Sequence, residues 1–183
     1  MWRSSLPDLR FQVESAEVIP IPAMSLGLAI VNACTEEQVH SIALTVQVQI
    51  EPARRRYSEA EARALADLFG ERDRWGTTVR PLFWTTINAV VPGFTGSTRF
   101  DLQVPFTLDP NIAAAKYLRA LEAGEVPLTL LFSGRVIYNL GESIQMAPIP
   151  WSLETSCRIP VLPCRQVLDA PSGGSGSRGA TWM

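Results

Sequence analysis

The sequence is poor in the side chains that enzymes most often use for chemistry. Its 183 residues include one histidine, His40, and three cysteines, Cys34, Cys157 and Cys164. A general base needs a partner within hydrogen-bond reach, and no motif supplies one for His40. This histidine shares strand parity with Ile42, so we expect it to point inward at the start of a strand.

The cysteines match neither a disulfide framework nor a zinc motif. Their number is odd, whereas structural disulfides need pairs, so the thiols indicate a reducing compartment. Six residues, two of them prolines, separate Cys157 from Cys164, which is wider than the gap of zinc ligand pairs. We expect free thiols, no metal and no cofactor. A metal carrier that uses Cys34, Cys157, Cys164 and His40 stays open as an alternative.

Neither sign of charge dominates the chain. The chain has 16 Lys and Arg residues and 18 Asp and Glu residues, which gives a net charge of -2. Such a balance lacks the basic surface that nucleic acids require, and the run Arg54–Arg56 fits a solvated loop. No apolar run approaches the roughly 18 to 20 residues that cross a bilayer. The N-terminus lacks the pattern of a secretory signal, so we expect a cytoplasmic protein.

Familiar catalytic motifs are absent as well. There is no Gly-x-Ser-x-Gly elbow for a serine nucleophile and no dinucleotide-binding fingerprint. The loop 92–98 (PGFTGST) has the glycines of a phosphate loop but lacks the terminal Gly-Lys pair and joins two strands. An enzyme with a hidden site would have to draw its acid–base groups from Arg80, Asp101, Glu125, Arg135 or His40.

What the sequence does contain is alternation with a period of two. Between 41 and 51 one face carries Ile42, Leu44, Val46, Val48 and Ile50, and the other face is mostly polar. One apolar and one polar face is typical of strands in antiparallel sheets. Similar runs predict strands at Leu9–Val13, Met24–Ile30, Leu82–Val91, Phe100–Leu108, Leu128–Tyr138, Ile144–Ile149 and Cys157–Leu162. We therefore predict a mainly β fold, an antiparallel β-sandwich of about eight strands.

Two short helices interrupt the predicted strands, at 58–70 and 110–123. The first begins with the capping box Ser58-Glu59-Ala60-Glu61 and ends near Gly70. The second has Pro110 in its first turn, where a missing N–H costs nothing. Both have an apolar stripe along one face, so we expect them to cover an edge or an open end of the sandwich.

The chain divides into one domain and a tail. Residues 1–168 are predicted to form a single β-sandwich domain. Residues 169–183 are rich in Gly and Ser, which is typical of a flexible linker. The tail carries Trp182, which is either simply exposed or part of a peptide that docks on a partner.

The densest apolar run, Gly124–Tyr138, is interrupted once, at Ser133-Gly134-Arg135. By parity, Gly134 lies in the buried row, where a glycine marks a bulge or the close approach of another backbone. Ser133 and Arg135 then lie on the outer face. We interpret the interruption as a packing feature and not as a nucleophile. Accordingly, Gly134→Leu is expected to harm stability and Ser133→Ala to leave folding intact.

Aromatic side chains near loops and strand ends are the remaining candidates. Such residues serve either as core plugs or as interface anchors, and both interpretations stay open. Together with two outer-face residues of the apolar run and the tail tryptophan, they form our candidate interface: Trp75, Phe83, Trp84, Phe94, Leu131, Arg135, Trp151 and Trp182.

Three ordered segments carry a family resemblance. They are PGFTGSTRFDLQVPFTLD (92–109), AAKYLRALEAGEVPLTLLFSGRVIY (114–138) and IPWSLETSCRIPV (149–161). From about Leu9 to Asp169, the chain resembles a bacterial family of unknown function. The resemblance implies genes that often lie beside those of an uptake nickel–iron hydrogenase, and hence an accessory or structural role near that enzyme. It implies no catalytic residue.

These observations favour a non-catalytic β-sandwich that binds another protein. The resemblance adds hydrogenase subunits or maturation factors as candidate partners. The alternatives are an enzyme with an unrecognised active site and the metal carrier. We expect no nucleic acid and no membrane span. Because edge strands of a sandwich must be covered or paired, a homodimer stays open.

Overall fold

A computed structural model describes residues 6–19, 23–34, 36–106 and 112–170 of the chain. These residues form eight strands and five short α-helices. The strands make two sheets in which all pairings are antiparallel. The predicted mainly β, sandwich-like fold is therefore confirmed. Trp182 lies outside the described residues, as does the predicted tail beyond 170.

The eight strands follow the predicted order. Their bounds are β1 Leu9–Ile19, β2 Ala23–Asn32, β3 Gln38–Ile50, β4 Leu82–Thr95, β5 Ser97–Pro105, β6 Glu125–Leu140, β7 Ser143–Pro148 and β8 Glu154–Pro160. Several begin before the alternating apolar run does. In β5, for example, Ser97 already pairs with Val31 of β2, although no apolar side chain marks that position in the sequence.

The two sheets differ in the number of strands and in how the strands pair. One has three strands in the order β1, β2, β5, and the other begins with β4, β3 and β6. Along its far side, β6 pairs with β8 over Glu125–Leu131 and with β7 over Arg135–Leu140. β6 therefore changes partner between these two stretches, at the predicted interruption of the apolar run.

The core lies between the two sheets and follows the predicted parity. One row of β3 is fully buried: Ile42, Leu44, Val46, Val48 and Ile50. Phe11 of the three-stranded sheet stacks on Phe132 of the other sheet, with ring centroids 4.3 Å apart. Each large apolar side chain buried in this way contributes roughly 1.5–3 kcal/mol, so the alternating faces account for the sandwich.

The first predicted helix is divided in two. It forms α1 (Glu59–Ala64) and α2 (Ala66–Phe69), which meet at Leu65. The second of these ends as predicted at Gly70, which has a positive φ of 74°. A short helix α3 (Trp75–Thr78) follows, which the sequence pattern does not predict.

The second predicted helix, 110–123, corresponds to α4 (Ile112–Ala120). Its predicted start at Pro110 lies outside the described residues, and the chain leaves the helix three residues before the predicted end. Ala114, Tyr117 and Leu118 are buried as the apolar stripe predicts.

Helix α5 (Val161–Asp169) corrects the last strand prediction. The run Cys157–Leu162 predicts a strand, but β8 ends at Pro160 and the helix starts at the next residue. The physical reason lies in the spacing of the buried side chains. Val161 and Cys164 are three residues apart and both are buried, so they share one helical face.

All five helices lie at the same end of the sandwich. Helices α1 to α3 connect β3 to β4, α4 lies between β5 and β6, and α5 follows β8. In antiparallel sheets of this order these strand ends coincide, so the helices cover an open end, as expected. Within the described residues, no helix is long and apolar enough to cross a membrane.

Candidate functional site

Where β6 changes its pairing partner from β8 to β7, backbone hydrogen bonds attach the chain between β7 and β8 to β6 on both sides of the change. The Phe132 N–H donates to the Leu153 carbonyl (3.0 Å), and the Ile149 N–H donates to the Gly134 carbonyl (2.9 Å). Between these two bonds, the chain from β7 to β8 makes a turn that carries Trp151. The interruption in the apolar run is therefore the place where this turn is attached to the sheet.

An exposed apolar surface adjoins the turn. On β7, Ile144 and Met146 are 64% and 56% exposed, and Trp151 is 89% exposed. We call these three residues the β7 patch. Arg135 borders it, since its Nη1 lies 3.6 Å from the Met146 Sδ, and half-buried Ile137 pairs with Met146 from β6. Large apolar side chains exposed along one edge of a sheet are typical of protein-binding sites.

Three of the predicted aromatic candidates are structural. Trp84 is fully buried with its ring 5.4 Å from that of Phe106, and Phe94 is 8% exposed. Trp75 is half-buried, and its Nε1–H donates to the Gly70 carbonyl (2.9 Å). Of the two interpretations left open for these aromatics, the core interpretation therefore applies to Trp84 and Phe94, because neither offers a ring to a partner.

The other candidates fall into two groups. Phe83 is 44% exposed on β4, the edge strand on the opposite side of the sheet from β7. Leu131, Arg135 and Trp151 lie on β6 and the turn attached to it. Trp182 is outside the described residues. The structure thus brings part of the predicted interface to one edge and separates Phe83 from it.

At the helix-covered end, a buried ion pair joins three segments. Arg55 Nη2 lies 2.8 Å from Glu61 Oε1, and the two side chains are only 8% and 4% exposed. Arg55 also donates to the carbonyls of Ala123 and Glu125, and Glu61 Oε1 accepts from the Glu122 N–H. One carboxylate and one guanidinium therefore hold α1, the loop before it and the start of β6 together.

Glu61 also completes the predicted capping box, which is confirmed. Its Oε2 accepts from the Ser58 N–H (2.9 Å), and the Ser58 Oγ accepts from the Glu61 N–H (3.1 Å). Burial alone would raise the pKa of the Glu61 carboxyl, but the Glu122 and Ser58 N–H groups and the Arg55 charge outweigh it and lower the pKa. Glu61 is therefore an ionised structural group.

Around this ion pair the surface is rich in arginine. Arg54, Arg56 and Arg158 line an open depression of about 560 Å³ that also contains Glu125. A second depression of about 480 Å³ shares Arg56 and adds Arg72. Within the described part of the chain, none of these four arginines forms an ion pair. We call Arg54, Arg56, Arg72 and Arg158 the arginine rim.

The prediction that His40 points inward is wrong. A register shift between Val39 and Ser41 forms a bulge in β3 and turns the histidine out to solvent. Gly93 on β4 makes room for it, because a Cβ there would lie 2.7 Å from the His40 carbonyl oxygen. The imidazole Nε2 lies 2.7 Å from Asn139 Oδ1, so its partner is a neutral amide.

The remaining acid–base candidates are dispersed over β5, β6 and the segment before β4. Asp101 is on β5, Arg135 on β6, and Arg80 just before β4. Glu125 begins β6 and faces the first arginine-lined depression, which contains none of the other candidates. The structure therefore does not bring this set into one cleft.

The three thiols are free and are held in different places. The Cys34 thiol donates to the Leu6 carbonyl (3.4 Å), Cys157 lies in β8, and Cys164 is buried in α5. Among the residues that the structure describes, no group of three His, Cys, Asp or Glu side chains could hold a metal ion. The alternative of a metal site built from the three cysteines and His40 finds no such cluster.

Alkylation of Cys157 is expected to be very slow near neutral pH. Burial raises the pKa of the Cys157 thiol to about 11 and that of Cys164 to about 12, and only the thiolate reacts. Below its pKa, the Cys157 rate should rise about tenfold per pH unit. Timed iodoacetamide labelling followed by peptide mass spectrometry measures the rate, with glutathione as the reference thiol. Fast labelling at neutral pH would contradict the burial of this thiol.

Sequence reasoning missed the exposed side of β7 and two rim arginines, Arg72 and Arg158. Ile144 and Met146 alternate with Ala147, and parity alone does not say which set faces the core. Because β7 pairs on the outer end of β6 with Ala147 opposite buried Val136, the larger side chains face solvent. Arg158 meets Arg54 only through the pairing of β8 with β6, which no local pattern reveals.

Comparison with solved structures gives distant similarity. A late embryogenesis abundant (LEA) protein in a solution structure is 11% identical, with 85% of this chain and 72% of that chain covered and a TM-score of 0.39. A protein from Archaeoglobus fulgidus is 8% identical over 85% of this chain and 97% of that chain, with a TM-score of 0.32. Beta-glucosidase 3B from Thermotoga neapolitana is 10% identical over 84% of this chain and 17% of that chain, with a TM-score of 0.31. Similarity at this level carries no argument about this chain.

Comparison with protein families, in contrast, gives a match over most of the chain. No curated protein matches the chain, but a family model matches residues 6–177, which include all eight strands and all five helices described above. The resemblance to a family of unknown function is thereby confirmed, and the chain belongs to DUF6084, a family of unknown function.

Proposed function

We propose that this chain is a non-catalytic protein-binding module and that the β7 patch is its contact surface. The observation that carries the proposal is Trp151, which is 89% exposed on a turn whose neighbours bond to β6 on both sides. Tryptophan is among the residues that contribute most to binding energy at interfaces. A turn already held in place loses little conformational entropy on binding.

The strand beside the tryptophan supports the same contact. β7 is an edge strand, and edge strands are normally blunted by charges or covered. Here the outward side chains Ile144 and Met146 are apolar instead, and the charge of Arg135 lies at their border. An apolar centre with a polar rim is the usual composition of an interface, and the border charge would orient the partner.

The non-catalytic part of the proposal is supported by where the candidate groups lie. His40 is bonded to an amide, and Asp101, Arg80 and Arg135 are on different elements. The thiols of Cys157 and Cys164 have raised pKa values, which makes them poor nucleophiles.

The identity of the partner has separate and weaker support. The resemblance described under Sequence analysis implies genes beside those of an uptake nickel–iron hydrogenase. We therefore propose hydrogenase subunits or maturation factors as the first partners to test. No residue of the chain carries this part of the proposal.

Trp151→Ala is expected to abolish capture of the partner from native cells. Loss of a central interface tryptophan costs at least about 2 kcal/mol, which is roughly thirtyfold in affinity. Affinity purification with quantitative mass spectrometry compares wild type, Trp151→Ala and Leu162→Ala, a control residue 60% exposed on α5. Thermal melting should show no change for either variant, because both side chains are mostly in solvent.

Two outcomes separate the parts of this proposal. If the captured proteins are retained equally by Trp151→Ala, or if the chain is always recovered alone, the β7 patch is not the contact surface. If a partner is lost with Trp151→Ala but is unrelated to hydrogenase, only the hydrogenase part fails. Purified hydrogenase subunits offered to the immobilised chain test that part directly.

A further inference from the structure

We infer that the arginine rim binds a run of carboxylates on a partner protein. The inference rests on the proposed function only in taking a protein as the ligand, because the rim and the β7 patch are different surfaces. The rim surrounds the 53–57 loop at the helix-covered end, whereas the patch lies on β7 and the turn that follows it.

The rim concentrates positive charge on a chain whose net charge is -2. In the first depression, three rim arginines face a single carboxylate, that of Glu125. The second depression has no acidic residue in its lining. Beneath both, the ion pair of Arg55 and Glu61 is neutral as a unit. In the linings of these two depressions, arginines therefore outnumber carboxylates.

Three of the four rim guanidinium groups are positioned by neutral acceptors. Arg54 Nη1 donates to the Ser156 Oγ (3.1 Å), Arg158 Nη2 donates to the Arg54 carbonyl (3.1 Å), and Arg72 Nη2 donates to the Tyr57 carbonyl (3.4 Å). Each such bond uses one of the five N–H donors of a guanidinium. The remaining donors keep the fork geometry that matches a carboxylate with two parallel bonds.

The layout of the rim favours several anionic groups over one. The two depressions share Arg56, and each has a further rim arginine of its own in its lining, so the cations are spread over two adjoining depressions and do not converge in a single pocket. The second depression is also lined by Tyr57, Trp75 and Val79. An extended acidic segment with an apolar side chain fits both features, since its carboxylates are spaced along the chain.

A nucleic acid is also a row of anions, but the rest of the chain disfavours it. Beyond the rim, the net negative charge of this protein would repel a phosphate backbone, which usually requires basic surface over its whole footprint. A protein segment presents its acidic groups over a limited length. We therefore assign the rim to carboxylates and treat nucleic acid as an outcome of the test.

The test is a titration of the purified full chain with a fluorescein-labelled oligoglutamate peptide, followed by anisotropy. We expect saturable binding that weakens as salt is raised to about 0.5 M. The double variant Arg56→Gln/Arg158→Gln should bind at least about tenfold more weakly. The control Arg10→Gln/Arg99→Gln removes the same charge from the three-stranded sheet and should bind like wild type. Both control arginines are mostly exposed.

Three results of the direct titrations would overturn the inference, and a competition experiment adds a fourth. The three are the absence of saturable peptide binding, equal weakening by the rim and control variants, and tighter binding of a single-stranded oligonucleotide of equal formal charge. Inorganic pyrophosphate, added as a competitor, should displace the peptide poorly, and efficient displacement would assign the rim to a small phosphate ligand. Trp151→Ala should bind the peptide like wild type. A negative result for the arginine rim therefore does not contradict the β7 patch, and a negative result for the β7 patch does not contradict the rim.

Discussion

Gly134→Leu is expected to abolish folding of the sandwich. Gly134 has a φ of 129°, and a Cβ at this position would overlap the carbonyl oxygen of Ala43 on β3. Backbone strain of about 1–3 kcal/mol then adds to overpacking of about 1–3 kcal/mol or more. The sum, about 2–6 kcal/mol or more, reaches the lower part of the range for the whole stability of a domain, about 5–15 kcal/mol. Because β3 and β6 are the central strands of the larger sheet, their separation would expose the core.

Smaller variants keep this prediction measurable even if the leucine variant does not fold. Gly134→Ala should lower the free energy of unfolding in urea by several kcal/mol, at least about 3. Gly141→Ala is the matched control, since it has a positive φ of 61° with no atom near its added Cβ, and should cost only about 1 kcal/mol. If the two alanine variants are equally stable, the close approach of Ala43 is not what requires the glycine.

The neighbouring residue gives the complementary test. Ser133 is exposed beside Gly134, so Ser133→Ala should change stability by no more than about 0.5 kcal/mol. Severe unfolding of this variant would show that the other face of β6 is the buried one.

The second large effect is expected from Arg55→Met. This change leaves the Glu61 carboxylate buried without its cation, and breaking a buried pair from one side costs about 3–5 kcal/mol. The exposed pair of Arg63 and Glu59 is the control, with 3.6 Å between its charged atoms and side chains 81% and 84% exposed. Arg63→Met should cost less than about 1 kcal/mol. Urea denaturation of both variants measures the difference, and equal losses would contradict the structural role of the buried pair.

A double variant separates the charge from the packing. Arg55→Met/Glu61→Gln contains no buried charge, so it should recover part of the stability lost in Arg55→Met. The glutamine still accepts hydrogen bonds and can keep part of the Ser58 cap. A double variant less stable than the single one would mean that the carboxylate matters mainly as a hydrogen-bond acceptor.

The same carboxylate sets a direction for the pH dependence. The pKa of Glu61 is lower in the folded state than its ordinary value of 4.5, so the unfolded state takes up its proton first as the pH falls. The stability contributed by ionised Glu61 is complete above about pH 4.5 and is lost as the pH falls through the folded pKa. Glu61→Gln should therefore show a shallower loss of stability with acid than wild type, as measured by urea denaturation at a series of pH values.

The sequence by itself determined the class of fold and the local caps. Alternation with a period of two is a local property, because neighbouring side chains in a strand point to opposite faces. It therefore predicted the eight strands and the buried row that contains Gly134. The capping box of Ser58 and Glu61 was predictable for the same reason, since its partners are three residues apart.

Only the tertiary structure decided which residues from distant parts of the chain lie beside one another. The bulge that turns His40 outward depends on Gly93 across the sheet. Arg54 meets Ser156 and Arg158 across 102 and 104 residues of chain, and the pairing of β8 with β6 brings them together. Whether an apolar residue such as Trp84 or Met146 is buried likewise depends on which strand covers it. A local pattern determines which side chains share one face of a strand. The register between distant strands determines which other residues lie beside that face. Both proposed binding surfaces bring together residues from distant parts of the chain, so neither could be predicted from local patterns.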